Sequence, residues 1–237
     1  LEAAEVVKLI NNTYRDVTFA FANELSLVCQ RWGIDTAKVI EAANRDYERS
    51  RVPLPSPGVG GYCLKKDPYI FIASARRKGY TPLLAAHARR VSDAMIDLVG
   101  DKILDFLKKS GRTSKNAKVC LMGLAFKGDP VTSDMRGATS IDLALSLRGK
   151  VKTVIGFDPA VNPVDARRAG VSCASSVRGA VRGADVVVVM NNNPAFRTMN
   201  MRELLRGARK PALFIDGWGL YNREDISKVA GVEYINL

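Results

Sequence analysis

Between Pro55 and Phe71 the sequence reads PSPGVGGYCLKKDPYIF, which sets glycines, a cysteine, two lysines and an aspartate between a proline-rich entry and an apolar run. The chemistry such a stretch could do is nucleophilic attack by sulfur. The thiolate is the reactive form, and it needs a partner to stabilise its charge. Cys63 lies just before a helix whose start is marked by Asp67 and Pro68, where unpaired backbone N–H groups and the helix dipole favour negative charge, and Lys65 and Lys66 add positive potential. Gly58, Gly60 and Gly61 let the backbone approach a ligand and turn amides toward it. The competing reading is a buried structural cysteine beside an aspartate that only caps its helix. The residues of this stretch leave both open.

The rest of the chain narrows the choices. His87 is the single histidine and sits in mid-helix on no motif, so histidine-based triads and zinc proteases are poor candidates. Cys29, Cys120 and Cys173 fall in apolar helix or strand-like segments and read as packing residues. The cysteines lie far apart without CxxC spacing, which points to reduced thiols and no metal site. No apolar run approaches the roughly 20 residues of a membrane span. The N-terminal LEAAEVVKLINN lacks the pattern of a signal peptide, and a cytoplasmic location is expected. Lys and Arg outnumber Asp and Glu by 36 to 24, giving +12, which suits nucleic acid, an anionic membrane or phosphorylated small ligands. The basic pairs Arg76-Arg77, Arg89-Arg90, Lys108-Lys109 and Arg167-Arg168 have no aromatic-rich nucleic-acid motif around them and read mostly as solvated surface.

The elements that would position Cys63 are legible as periodicity. From Glu2 to about Arg31, residues such as Val6, Ile10, Val17, Phe21 and Val28 recur at helical spacing. Asp35 is expected to cap a short second helix, Asp67-Pro68 to open a third, and Thr81-Pro82 to open a long fourth reaching about Lys109. GRTSKNAK is the expected boundary, because after it the pattern changes type. KVCLMGL, VKTVIGFD, ADVVVVMN, ALFIDG and VEYINL read as strands alternating with helices, which implies a parallel sheet covered on both faces. The fold class is therefore α/β, with an all-helical domain over 1–110 followed by a Rossmann-like unit over 116–237. The first strand-to-helix connection, GLAFKGDPVTSDMRGATS, lacks GxGxxG, so no standard dinucleotide fingerprint is present. Phe126, Lys127 and Arg136 stand where an open α/β sheet meets a phosphate ligand, or else are ordinary loop residues.

Taken in order and with their gaps, AAEVVKLINNTYRDVTFAFANEL, PGVGGYCLKKDP, VCLMGLAFKGDPVTSDMRGATSIDLA and IGFDP resemble the nucleotide-sugar 6-dehydrogenases that oxidise UDP-glucose or UDP-N-acetylhexosamines. The resemblance covers essentially the whole chain and implies the family's central and C-terminal domains, with nothing like its N-terminal NAD-binding domain in the sequence. It implies NAD as cofactor, a UDP-sugar substrate, a homodimer built on the long first helix, and no nucleic acid or membrane partner. Cys63 matches the nucleophile that forms a thiohemiacetal and then a thioester. Lys8 and Asn12, four residues apart on one helical face, match the pair that stabilises the oxyanion and orients substrate or water. Asp67 matches an aspartate that assists water or positions the lysine.

By the same resemblance Leu54, Gly58, Gly60 and Gly61 belong to the loop around the nucleotide. Phe126 and Lys127 meet UDP, Arg136 reaches the NAD, and Arg51 corresponds to an arginine lent across the dimer to the sugar nucleotide. Tyr62 stands where many N-acetylhexosamine enzymes have His, and Trp218 where an arginine is frequent. The expected substrate is UDP-N-acetyl-D-mannosamine. The alternatives are UDP-glucose, or a non-catalytic dimeric nucleotide-binding module, with the isolated chain expected to be inactive on its own.

Overall fold

The computed structural model describes residues 3–237; the expected helix start at Glu2 lies outside them. The chain divides into two compact units, Leu1–Met95 together with Leu237, and Ile96–Asn236. The first is helical. α1 spans Ala3–Trp32 and α2 Thr36–Asn44, capped as its sequence suggests by Asp35, whose carboxylate accepts from the Ala37 and Lys38 amides at 3.0 and 3.3 Å. A loop with one 3-10 turn at Glu48–Ser50 leads to α3, Asp67–Arg76. α4, Leu83–Lys109, starts one residue after Pro82 and runs from the first unit into the second.

The second unit carries β1 Lys118–Met122, α5 Thr139–Leu147, β2 Thr153–Phe157, α6 Pro163–Arg168, β3 Ser172–Cys173, α7 Val177–Val181, β4 Val186–Val189, α8 Pro194–Arg197, α9 Met201–Arg206, β5 Ala212–Asp216, α10 Arg223–Ser227 and β6 Val232–Asn236. The strands are parallel in the order β3-β2-β1-β4-β5-β6. β1, β4 and β5 are almost wholly buried, which is why they read as unbroken apolar runs rather than alternating ones. The order reverses between β1 and β4, so the connections leaving their C-terminal ends flank the crevice where open α/β sheets take ligands. Cys120 lies at the centre of β1, and burial pushes its thiol up to about 12, which makes it inert packing; Cys29 is buried in α1.

Candidate active site

α1, the Cys63 turn and α3 build one constellation in the first unit. Cys63 is exposed. Its carbonyl accepts from the Lys66 and Asp67 amides at 3.1 and 2.8 Å, and the Lys65 amide donates to the Gly61 carbonyl at 3.1 Å, so the thiol rides on a closed turn leading into α3. The Asp67 amide is therefore spent on a carbonyl and Pro68 has none, so neither is among the unpaired N–H groups expected at this helix start. Asp67 is also not the cap. It is the first helical residue, Lys66 stands at the cap position without a side-chain bond, and Pro68 follows in the first turn.

The Asp67 carboxylate instead reaches α1. Asn12 Nδ2 donates to one oxygen at 2.6 Å, and Lys66 Nζ donates to the other at 2.5 Å. Burial alone would raise this carboxyl's pKa, but the bonds from Lys66 and Asn12 and the charges of Lys66 and Lys8 outweigh it and hold it below the usual carboxylate range. The Lys66 ammonium is correspondingly held above its ordinary value, first by the bond to Asp67. It also lies 5.3 Å from the ring centre of Tyr62. Lys8 and Asn12 share a face of α1 one turn apart, Lys8 exposed and Asn12 half-buried. Lys8, Asn12, Cys63 and Asp67 are thus drawn together through Asp67.

The glycine loop is fixed from two sides. Asn44 closes a two-way bond with the Val52 backbone at 2.8 and 2.9 Å, and the buried Asn23 accepts from the Ser56 amide at 2.8 Å. Gly58 and Gly61 take φ of 89° and 98°, where a side chain would be strained, so these two are dictated by the backbone path; Gly60 lies half-buried between them. Arg51 and Leu54 do not join the Cys63 constellation: they line a separate concavity of about 370 Å³ with Ile40, Glu41, Asn44 and Arg45.

In the second unit, Phe126 and Lys127 leave β1 half-buried, with the Lys127 ammonium 5.5 Å from the Phe126 ring centre. The connection is held by groups that sequence reading did not single out. Asp158, at the end of β2, accepts from the amides of Leu124, Ala125 and Ala160 and from Asn191 Nδ2. Asn192 accepts from the Gly128 and Asp129 amides at 3.0 and 3.2 Å. A Cβ on Gly128 would lie 1.9 Å from the Asn193 amide nitrogen. The acidic residue that could meet a ribose is therefore engaged by the connection's own groups, and the connection lacks the GxGxxG glycines, so these residues do not fit a dinucleotide. Arg136 is exposed and paired with Asp134 at 2.7 Å, which holds that carboxyl below its ordinary value.

Sequence reading also missed Arg89. Taken as half of a solvated basic pair, it is 2% exposed, forms an ion pair with the buried Asp16 at 2.6 Å and another with Asp93, and donates to the Leu64 carbonyl at 3.4 Å. One signal was present: Asp16 continues the Lys8–Asn12 spacing by another four residues. Arg90, its sequence neighbour, is exposed, as the sequence suggests.

Two family models match the chain: "UDP-glucose/GDP-mannose dehydrogenase family, central domain" over residues 2–94, and the same family's "UDP binding domain" over 120–223. A UDP-N-acetyl-D-mannosamine dehydrogenase of Pyrococcus horikoshii is 32% identical over 214 residues, 90% of this chain and 47% of that protein. An NDP-N-acetyl-D-galactosaminuronic acid dehydrogenase of Ralstonia nicotianae is 31% identical, with 94% and 49% covered. Among solved structures, the UDP-D-ManNAc dehydrogenase of Pyrococcus horikoshii superposes with a TM-score of 0.82 at 30% identity, over 97% of this chain and 50% of that one. The chain spans about half the length of the curated relatives it matches.

Proposed function

Because this chain belongs to the UDP-glucose/GDP-mannose dehydrogenase family, we propose that it supplies the thiol chemistry and the sugar-nucleotide grip of an NAD-dependent, cytoplasmic UDP-sugar 6-dehydrogenase acting on UDP-N-acetyl-D-mannosamine. Residues 1–110 are then the helical dimerisation domain with the Cys63 loop, and 116–237 the UDP-sugar-binding domain. The observation that carries the reading is the buried, doubly bonded carboxylate of Asp67 four residues after an exposed thiol.

In this reading the C6 alcohol is first oxidised to the aldehyde. Cys63 Sγ adds to the aldehyde carbon to give a thiohemiacetal, and loss of its C6 hydride together with the hydroxyl proton would leave a thioester. Water then adds, the C–S bond breaks, and the carboxylate leaves while the thiol is restored. Each addition puts negative charge on the former carbonyl oxygen. Lys8 offers a cation there, and Asn12 offers the amide N–H that its bond to Asp67 leaves over. Asp67, held ionised, is a weak base and serves to orient Asn12. The hydride acceptor is NAD, which the second unit's crevice does not fit, so the part assigned to this chain is holding the sugar nucleotide and the acyl carbon. Arg51, Leu54, Gly58, Gly60, Gly61, Phe126 and Lys127 are assigned to the substrate, and Arg136 to contact with the cofactor.

The complete polypeptide encoded by the gene, given NAD and a panel of UDP-sugars, is expected to release two NADH per UDP-N-acetyl-D-mannosamine. No NADH from any of them, or two-equivalent turnover persisting in Cys63→Ser, would overturn the proposal. A preference for UDP-glucose would correct the sugar alone.

A further inference from the structure

We infer that the buried Arg89 is a positioning residue for Cys63, fixing the thiol-bearing turn against the Lys8–Asn12 face of α1. The inference deepens the function proposed above and rests on that reading for the role of Cys63. Lys8, Asn12 and Asp16 succeed one another at intervals of four along α1, so they form one column. Two members of that column hold the turn. Asn12 bonds directly to Asp67, at the end of the turn. Asp16 acts through Arg89, whose Nη1 lies 2.6 Å from Asp16 Oδ1 and 3.4 Å from the Leu64 carbonyl, one residue past Cys63.

The other arm of the guanidinium pairs with Asp93, one turn along α4, and Tyr69 on α3 donates its hydroxyl to the second Asp93 oxygen at 2.5 Å. The Arg89 guanidinium carbon lies 5.6 Å from the Tyr69 ring centre. A single planar cation thus joins α1, the Cys63 turn, α3 and α4, a task that the two-armed geometry of arginine allows and the point charge of lysine does not.

Stability is a poor explanation for this arrangement. Buried ion pairs recover their desolvation cost only when every remaining polar atom is satisfied, and apolar replacements of similar volume are often as stable. Asp16 Oδ2 and Arg89 Nε are both buried without a hydrogen-bond partner. A network that leaves these atoms unsatisfied is better explained by where it holds Leu64, and hence Cys63.

The test compares the unaltered complete protein with Asp16→Leu/Arg89→Met, which removes both buried charges together, and with Arg89→Lys, which keeps the charge but loses the fork. Hydrogen exchange at the Lys66 and Asp67 amides, which close the turn on the Cys63 carbonyl, is expected to quicken at least tenfold in the double variant while α1 and α4 amides stay within threefold. Turnover should fall at least tenfold with KM for the UDP-sugar within threefold, and Arg89→Lys should lie between on both measures. Unchanged exchange in the turn, acceleration spread through α1 and α4, or unchanged kcat would overturn the inference. If the double variant does not fold, Arg89→Lys is judged alone by the same two measures. If the unaltered protein makes no NADH, the functional proposal falls and the exchange pattern alone decides the role of Arg89.

Discussion

Asp67 has 1% of its side chain exposed, and a carboxylate taken out of water is costly unless donors and charges replace its hydration. Asn12 and Lys66 supply both, and with the charge of Lys8 they hold the carboxyl below its ordinary range. A group whose folded pKa lies below its unfolded value stabilises the fold above the unfolded value, near pH 4, and loses that contribution as pH falls through the folded value. Asp67→Asn should therefore lower unfolding free energy at pH 7 by roughly 1 to 2 kcal/mol, discounted because Lys66 is half in solvent. In urea titrations the gap between variant and wild type should close below about pH 4; a constant gap down to pH 3 would show that the carboxylate's charge is not what counts. In sequence, Asp67 before Pro68 suggests a helix start, and the helix does start there. That its side chain turns to Asn12, 55 residues earlier, is a tertiary contact with no local signature. Arg89 escaped because the carboxylate it meets in the interior, Asp16, lies 73 residues earlier on α1, while Asp93, one turn along its own helix, reads as an ordinary surface pair.

A helix thirty residues long has two faces to satisfy, and α1 commits one of them to Asn12, Asp16, Ala20 and Asn23, all buried or half-buried. The other leaves Val7, Ile10, Tyr14 and Phe21 each more than half exposed, at spacings of three, four and seven residues. An apolar stripe of this kind is costly in water and is the surface on which we place the homodimer. Ile10→Glu/Phe21→Glu should convert a dimer to monomer in sedimentation experiments with helical circular dichroism preserved; an unshifted sedimentation coefficient would place the interface elsewhere. Elements long enough to show a period were readable: α1, α2, α4 and the core strands lie where periodicity and apolar runs suggest. β3, with two residues, and α6, α8 and α10, with four to six, are too short to carry a period and are held by neighbours. The β1–α5 connection is likewise set by partners from β2 and β4. Gly128→Ala should cost about 3 kcal/mol or more there, because its Cβ meets backbone that cannot yield, and thermal melting would show it; a melting temperature within 2–3 °C of wild type, roughly 1 kcal/mol or less, would mean the connection can relax.

At the scale of the whole chain the net charge of +12 admits any polyanion, and charge by itself gives no specificity. Some of the cations are already neutralised at the surface: Arg168 with Asp165, Arg178 with Glu203 and Lys228 with Asp225 are exposed pairs that add nothing to the net charge and are worth little individually. What separates a small phosphorylated ligand from nucleic acid is how few cations it needs. In the function proposed above, Lys127, half-buried at the reversal of strand order and near the Phe126 ring, is the cation assigned to one diphosphate. Calorimetry with UDP is therefore expected to give a dissociation constant near micromolar, about −8 kcal/mol. Lys127→Ala should weaken it about tenfold, or roughly 1.4 kcal/mol, whereas Arg136→Ala, whose guanidinium is already held by Asp134, should change it by less than about twofold, roughly 0.4 kcal/mol. Counterion release makes nucleic-acid affinity fall steeply with salt in proportion to the phosphates contacted. A single diphosphate contact makes the shallower dependence, so raising salt from 50 to 200 mM should cost UDP less than about tenfold while any DNA binding falls by about a thousandfold or more. Duplex DNA binding that outlasts UDP binding at 200 mM salt would overturn the assignment of this surface to a sugar nucleotide.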